Sequence, residues 1–352
     1  MRIKEKTVKN GGLAQGAFCS DGYDLQLKRT STRIALILLL EMGLFQVFAV
    51  LITILQTLLD ELLIPSAAHI VGQSLHAIGY FSCFVVPARI FCRSAKKKGE
   101  YRVGFYRGYL PRTMPLLIFA VIAINFAAAY VNSYVIPAIF PGLEGLMAVM
   151  ESEPLAWYEI VMSFVTVAIV PAICEEILFR GVILTHLLPY GRTVAIIGSG
   201  LLFGLMHGNP LQLFYTSLLG VVLGYVYLKT RSIAVCMVLH FVNNSISVLQ
   251  SALYDRSPNA SGIAIGMELG IIVIGAVSMF LLLRREMGKP RPEDTGCFGR
   301  IHELHADVAE YPVTSTKRVQ MFFSPAMIIY VVLSVLTMGF LTFVFGIAFF
   351  VS

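Results

Sequence analysis

Charge is what this sequence has least of. Only 14% of its 352 residues are Asp, Glu, Lys or Arg, whereas 57% are hydrophobic, and the mean hydropathy is +0.77. A soluble domain carries charge on about a quarter of its residues, so that class is excluded and a chain built for a bilayer is indicated. Alternation is missing too. The apolar stretches are long and continuous, without a period of two, which excludes a β-barrel and leaves helices as the spanning element. The six cysteines include no CxxC pair and no zinc-ligand spacing, so no disulfide frame is expected. Cys83, Cys92, Cys174 and Cys236 read as small buried hydrophobes. There is no HExxH pair. No cleavable signal peptide is expected, because the first apolar run starts near Ile34 and no small-residue cleavage site follows it. No internal repeat is visible, which removes the usual support for an inverted-repeat transporter.

The charges that remain are placed informatively. The net charge is +6, gathered in Lys4, Lys6, Lys9, Lys28, Arg29 and Arg33, around Lys96-Lys97-Lys98, and in Arg284, Arg285, Lys289 and Arg291. These clusters flank apolar segments, so positive-inside sorting and anionic lipid account for them, and no nucleic-acid partner is expected. Candidate spans are 34–56, 70–92, 115–137, 156–174 running on into a Glu-Glu pair, 193–207, 211–228, 232–250, 263–283 and 326–350. The fold class is therefore all-α, a polytopic helical membrane protein of about eight to nine transmembrane helices with a four-helix catalytic core. The chain divides into a cytoplasmic polar arm (1–33), N-terminal transmembrane helices (34–155), a core (156–250), an additional helix (251–283), a cytoplasmic linker (284–325) and a C-terminal helix (326–352). Acidic loops alternate with basic ones, which places the chain in the cell membrane as a multi-pass protein with its N-terminus cytoplasmic.

Polar residues inside the spans stand out against this background. Glu175, Glu176 and Arg180 lie in an otherwise apolar run, where a charge at the bilayer centre costs ~3 kcal/mol. On a helix Glu176 and Arg180 are i,i+4 neighbours and can pair. Glu175 is rotated about 100° away, so one carboxylate is held by the guanidinium while the other is free to aim at a water. Pro171, four residues before Glu175, should loosen the helix there. Phe203-Gly204-Leu205-Met206-His207 ends the next apolar helix. Gly200, Gly204 and Gly208 are spaced by four and predict a smooth ridge for close helix approach; Gly220 and Gly224 form another. His240 and Asn244 share one face of a later helix and offer an imidazole beside an amide donor. Glu41 and Glu268 are intramembrane acids without an obvious partner.

In this order, on successive apolar helices, Glu175-Glu176-x-x-x-Arg180, Phe203-x-x-x-His207 and His240-x-x-x-Asn244 resemble the three motifs of the CPBP intramembrane endopeptidase family. That family includes the CAAX prenyl-protein endoproteases and bacterial proteins linked to bacteriocin processing and self-immunity. The resemblance covers roughly residues 156–250 and implies a helical membrane fold and a glutamate-activated water. Carried over by position, its first glutamate falls on Glu175, its two histidines on His207 and His240 and its asparagine on Asn244; with the paired Glu176 and Arg180 these are the candidate catalytic residues, and the substrate implied is a peptide or protein in the membrane. Glu175 would take a proton from water, His207 would position that water, and His240 and Asn244 would donate to the oxyanion. No cofactor is expected. The alternative is zinc held by Glu175, His207 and His240, the ligand count of a catalytic zinc site. Two other functional classes use such a cluster: a non-catalytic immunity or partner-binding protein that keeps the fold, and a proton-coupled transporter.

Overall fold

The computed structural model describes residues 15–97, 111–131, 156–254, 260–287, 320 and 322–351. Among them every regular element is helical: α1 (Gln15–Leu62), α2 (Pro65–Lys97), α3 (Met114–Tyr130), α4 (Trp157–Tyr190), α5 (Arg192–Met206), α6 (Pro210–Thr230), α7 (Ile233–Tyr254), α8 (Ala260–Met287) and α9 (Pro325–Val351). Six of these helices are long and apolar enough to cross a membrane, and α3, α5 and the described part of α9 are shorter apolar helices. This is a polytopic helical membrane protein. Large apolar side chains left bare by the bundle, such as Val47, Leu51, Ile54 and Leu58 on α1 and Val273, Val277 and Phe280 on α8, lie three or four residues apart. They form the stripes that a lipid-facing helix presents.

The first helix starts earlier than expected. α1 begins at Gln15, not near Ile34, so part of the segment read as a polar arm continues the first span. Contacts from distant chain explain this. Ser31 Oγ donates to the Phe322 carbonyl and lies 3.3 Å from Ser324 Oγ, and the hydroxyls of Thr30 and Tyr190 lie 2.9 Å apart. Leu27, Ser31, Ile34, Leu38 and Glu41 share the buried face of α1. The linker read over 284–325 lies, from 288 to 319, outside the described residues, as do His302 and His305.

Two features of the core position the site. The first is the close approach of α5 to α6. A Cβ on Gly200 would stand 2.7 Å from the Val221 backbone nitrogen, and one on Gly220 would stand 2.9 Å from the Gly200 Cα. These helices therefore meet backbone to backbone, as small-residue ridges allow in membranes. Gly208 is not part of that ridge. It has φ +61° and open space around it, so it makes the left-handed turn that ends α5. Asn209 then caps α6 by accepting from the Leu211 N–H at 2.9 Å, ahead of Pro210 in the first turn.

The second is the irregularity of α4. Its α-helical piece Val170–Glu176 is flanked by π-helical stretches, Phe164–Ile169 and Ile177–Leu184. Such wide turns are rare and concentrate at functional sites. Pro171 has no N–H for the carbonyl of Val167, four residues back. That carbonyl accepts from Asn244 Nδ2 of α7 at 2.9 Å.

A candidate intramembrane active site

Glu175 and Glu176 end the short α-helical piece of α4, and the two side chains leave it in different directions. Glu176 is fully buried. Its Oε1 accepts from Arg180 Nη1 at 2.9 Å and from His240 Nδ1 at 2.9 Å. Arg180, itself 1% exposed, donates its Nη2 to the Gly220 carbonyl of α6 at 3.0 Å. Its guanidinium carbon lies 4.8 Å from the centre of the Phe203 ring, a cation–π contact strengthened by the dry surroundings. Phe203 is a hub. It makes edge contacts with Phe179, His207 and His240 at centroid separations of 5.0, 5.0 and 5.8 Å. One guanidinium and one ring thus tie α4, α5, α6 and α7 together.

Glu175 belongs to a different set of partners. Its Oε1 accepts from the Tyr80 hydroxyl of α2 at 2.5 Å. Its Oε2 is buried with no hydrogen-bond partner among the described residues. That oxygen faces His240 Nε2 at 3.9 Å, beyond direct hydrogen-bond range. Glu41 of α1, also buried, lies within electrostatic reach of the same carboxylate.

Both imidazoles engage an acceptor through Nδ1. His207 Nδ1 lies 2.8 Å from the Phe203 carbonyl. A carbonyl only accepts, so Nδ1 carries a proton there. His240 Nδ1 likewise donates to Glu176. His207 stands at the end of α5, half-buried and within electrostatic reach of Glu175 and His240. His240 thus stands between the two carboxylates, its Nδ1 engaged by Glu176 and its Nε2 turned toward Glu175. One N–H of Asn244 is spent on Val167, and its amide retains a second. Among the described residues no three His, Cys, Asp or Glu side chains are disposed to hold a metal ion. Glu175, His207 and His240 would have to close up to form the zinc set.

The sequence reading missed Tyr80, which sits 95 positions before Glu175. A tyrosine in an apolar span carries no local signal of such a role, since most anchor helices at the interface. Glu268 does have partners. It accepts from the Tyr130 hydroxyl at 2.7 Å and from Gln250 Nε2.

Residues 156–246 match the family described as type II CAAX prenyl endopeptidase Rce1-like. The matched segment holds all three motifs and is consistent with the CPBP and CAAX protease family that they resemble. At family level this supports a CAAX-type intramembrane protease acting on peptide or protein substrates in the membrane. No curated protein and no solved structure matches the chain.

Proposed function

We propose that this chain is a glutamate-dependent intramembrane endopeptidase, cleaving membrane-associated peptides or protein tails with a water activated by Glu175. One observation carries the reading: Glu175 Oε2, without a hydrogen-bond partner among the described residues, faces His240 Nε2 across 3.9 Å. A gap of that size suits a shared water lying to one side of the line, with His240 in the tautomer that accepts at Nε2. Glu175 Oε2 takes one of its protons and His240 Nε2 orients the other. The water oxygen bonds to the peptide carbonyl carbon, and the electron pair moves to the carbonyl oxygen. The second N–H of Asn244 stabilises that oxyanion. The C–N bond then breaks, and Glu175 returns the proton to the leaving amine. Tyr80 holds Glu175 in the productive rotamer, while Glu176 and Arg180 hold His240. His207, at the end of α5, orients the water or the substrate carbonyl through its own Nε2.

The same chemistry run through zinc is the second reading, favoured by the two histidines whose Nδ1 atoms are engaged elsewhere, which leaves Nε2 as the atom each would offer a metal. The Glu175–His240 pair does not require it. The basic clusters favour a cytoplasmic N-terminus in the cell membrane.

The test uses the full-length protein in vesicles, with a synthetic peptide ending in a prenylated Cys-aliphatic-aliphatic-X tail and an unprenylated transmembrane peptide. Cleavage is followed by mass spectrometry in ¹⁸O-water. The expected result is one ¹⁸O in the new carboxylate and a loss of at least ~10²-fold in Glu175→Gln, with activity unchanged by chelators. Full activity in Glu175→Gln would refute the reading. Loss on chelation with recovery on added Zn²⁺ would establish the zinc form.

A further inference from the structure

A cavity of about 210 Å³ opens between α3, α6 and α7. Its polar lining is unusual for a bilayer: Asn125 of α3, Tyr215 of α6, and Asn243, Ser247 and Gln250 of α7. The last three are spaced i, i+4, i+7 and form one stripe along the helix. Among the described residues no Lys or Arg lines the cavity. Asn243 is 5% exposed, and its Nδ2 donates to Asn244 Oδ1 at 3.2 Å. The Oδ1 of Asn125 is buried and has no hydrogen-bond partner among the described residues. Through the Asn243–Asn244 bond the cavity adjoins the candidate active site, and its lining runs along α7 to Gln250, which donates to Glu268.

From this lining we infer that the cavity is a binding groove for the backbone of an extended peptide, with Asn125 as a specificity-independent anchor. The inference rests on the peptidase reading given above. An acyl chain would leave the buried Asn125 side-chain carbonyl unpaired, and such an orphan is costly. A phosphate headgroup would call for cations that the lining lacks. A peptide bond offers one donor and one acceptor per unit, and side-chain amides answer both. The stripe from Asn243 to Gln250 rises ~10 Å at 1.5 Å per residue, which spans about three residues of extended chain at ~3.3 Å each. The groove therefore fixes the path of the substrate next to the scissile bond without reading its side chains. Three of its five polar groups stand outside the segment 156–246 or at its far end: Asn125, Ser247 and Gln250.

The test separates binding from turnover. Glu175→Gln protein in nanodiscs is titrated with fluorescent forms of the two probe peptides, each with or without N-methylation at successive backbone nitrogens. The expected result is that methylation of one nitrogen weakens binding roughly fivefold, the worth of one hydrogen bond. Asn125→Leu in the same background should weaken the parent peptide by a similar factor and be insensitive to that methyl group. In the active protein Asn125→Leu should raise KM with kcat unchanged. Asn125→Ser, which is smaller and still polar, serves if the leucine variant does not fold. Equal methylation penalties in both backgrounds, or no binding of either peptide to Glu175→Gln, would overturn the groove. Binding as described with no cleavage by the active protein would instead remove the peptidase reading and leave the groove standing.

Discussion

Arg180 gives the sharpest test of how this core is held together. Arg180→Met keeps an unbranched apolar stem and removes the charge and the donors. Three losses follow from the geometry: the 2.9 Å pair with Glu176, the 3.0 Å bond to the Gly220 carbonyl and the contact over Phe203. In a bilayer each hydrogen bond is worth only ~0.6 kcal/mol on average, because the unfolded helices also find partners. The desolvated cation–π contact adds about 1–2 kcal/mol. The larger part is the stranded Glu176 carboxylate, whose residue is 0% exposed. Leaving one member of a buried pair alone costs about 3–5 kcal/mol, and His240 relieves part of that by still donating to Oε1. We expect Arg180→Met to destabilise by about 3–5 kcal/mol, read as the shift in a detergent-denaturation curve followed by circular dichroism. The decisive variant is the double replacement with Glu176→Gln, which removes the stranded charge. It should be more stable than Arg180→Met alone. Strict additivity of the two single changes would refute the idea that a buried charge pair, and not mere packing, joins α4 to α6.

Two more outcomes follow from the same geometry. Tyr80→Phe keeps the ring, which stacks on Phe84 at 4.9 Å, and loses only the hydroxyl that donates to Glu175; kcat should fall about tenfold with KM and folding unchanged, and unaltered kcat in a peptide-cleavage assay would dismiss Tyr80 as a positioning residue. Gly220→Ala should cost about 1–3 kcal/mol, since its methyl meets the Gly200 backbone and displaces the carbonyl that Arg180 uses; Gly266→Ala on α8, with open space around it, is the matched control and should leave the denaturation midpoint unchanged or raised.

The all-helical fold was legible because hydropathy along the chain is a direct record of bilayer solvation, and it needs no tertiary information. The Glu176–Arg180 pair was legible for a related reason: its partners are one helical turn apart. What was not legible came from across the bundle. Tyr80 reaches Glu175 from another helix, and Glu268 finds Tyr130 and Gln250 from two others, so no local pattern announces them. Pro171 foretold a disturbance in α4. It could not foretell that the disturbance would widen the helix over two stretches, or that the Val167 carbonyl would accept from Asn244. Gly208 was misread as ridge because spacing alone does not distinguish a glycine that admits a neighbour from one that turns the chain. The length of α1 depended on contacts with residues almost three hundred positions away, which sequence separation hides.

The Val167 carbonyl of α4 has a bearing on assembly. A transmembrane segment normally arrives in lipid with its main chain already self-sufficient. This segment also takes a bond from outside itself, because its Val167 carbonyl accepts from the Asn244 side chain, seventy-seven positions further along the chain. That polar tie between the two helices forms only once the later one has entered the membrane and docked.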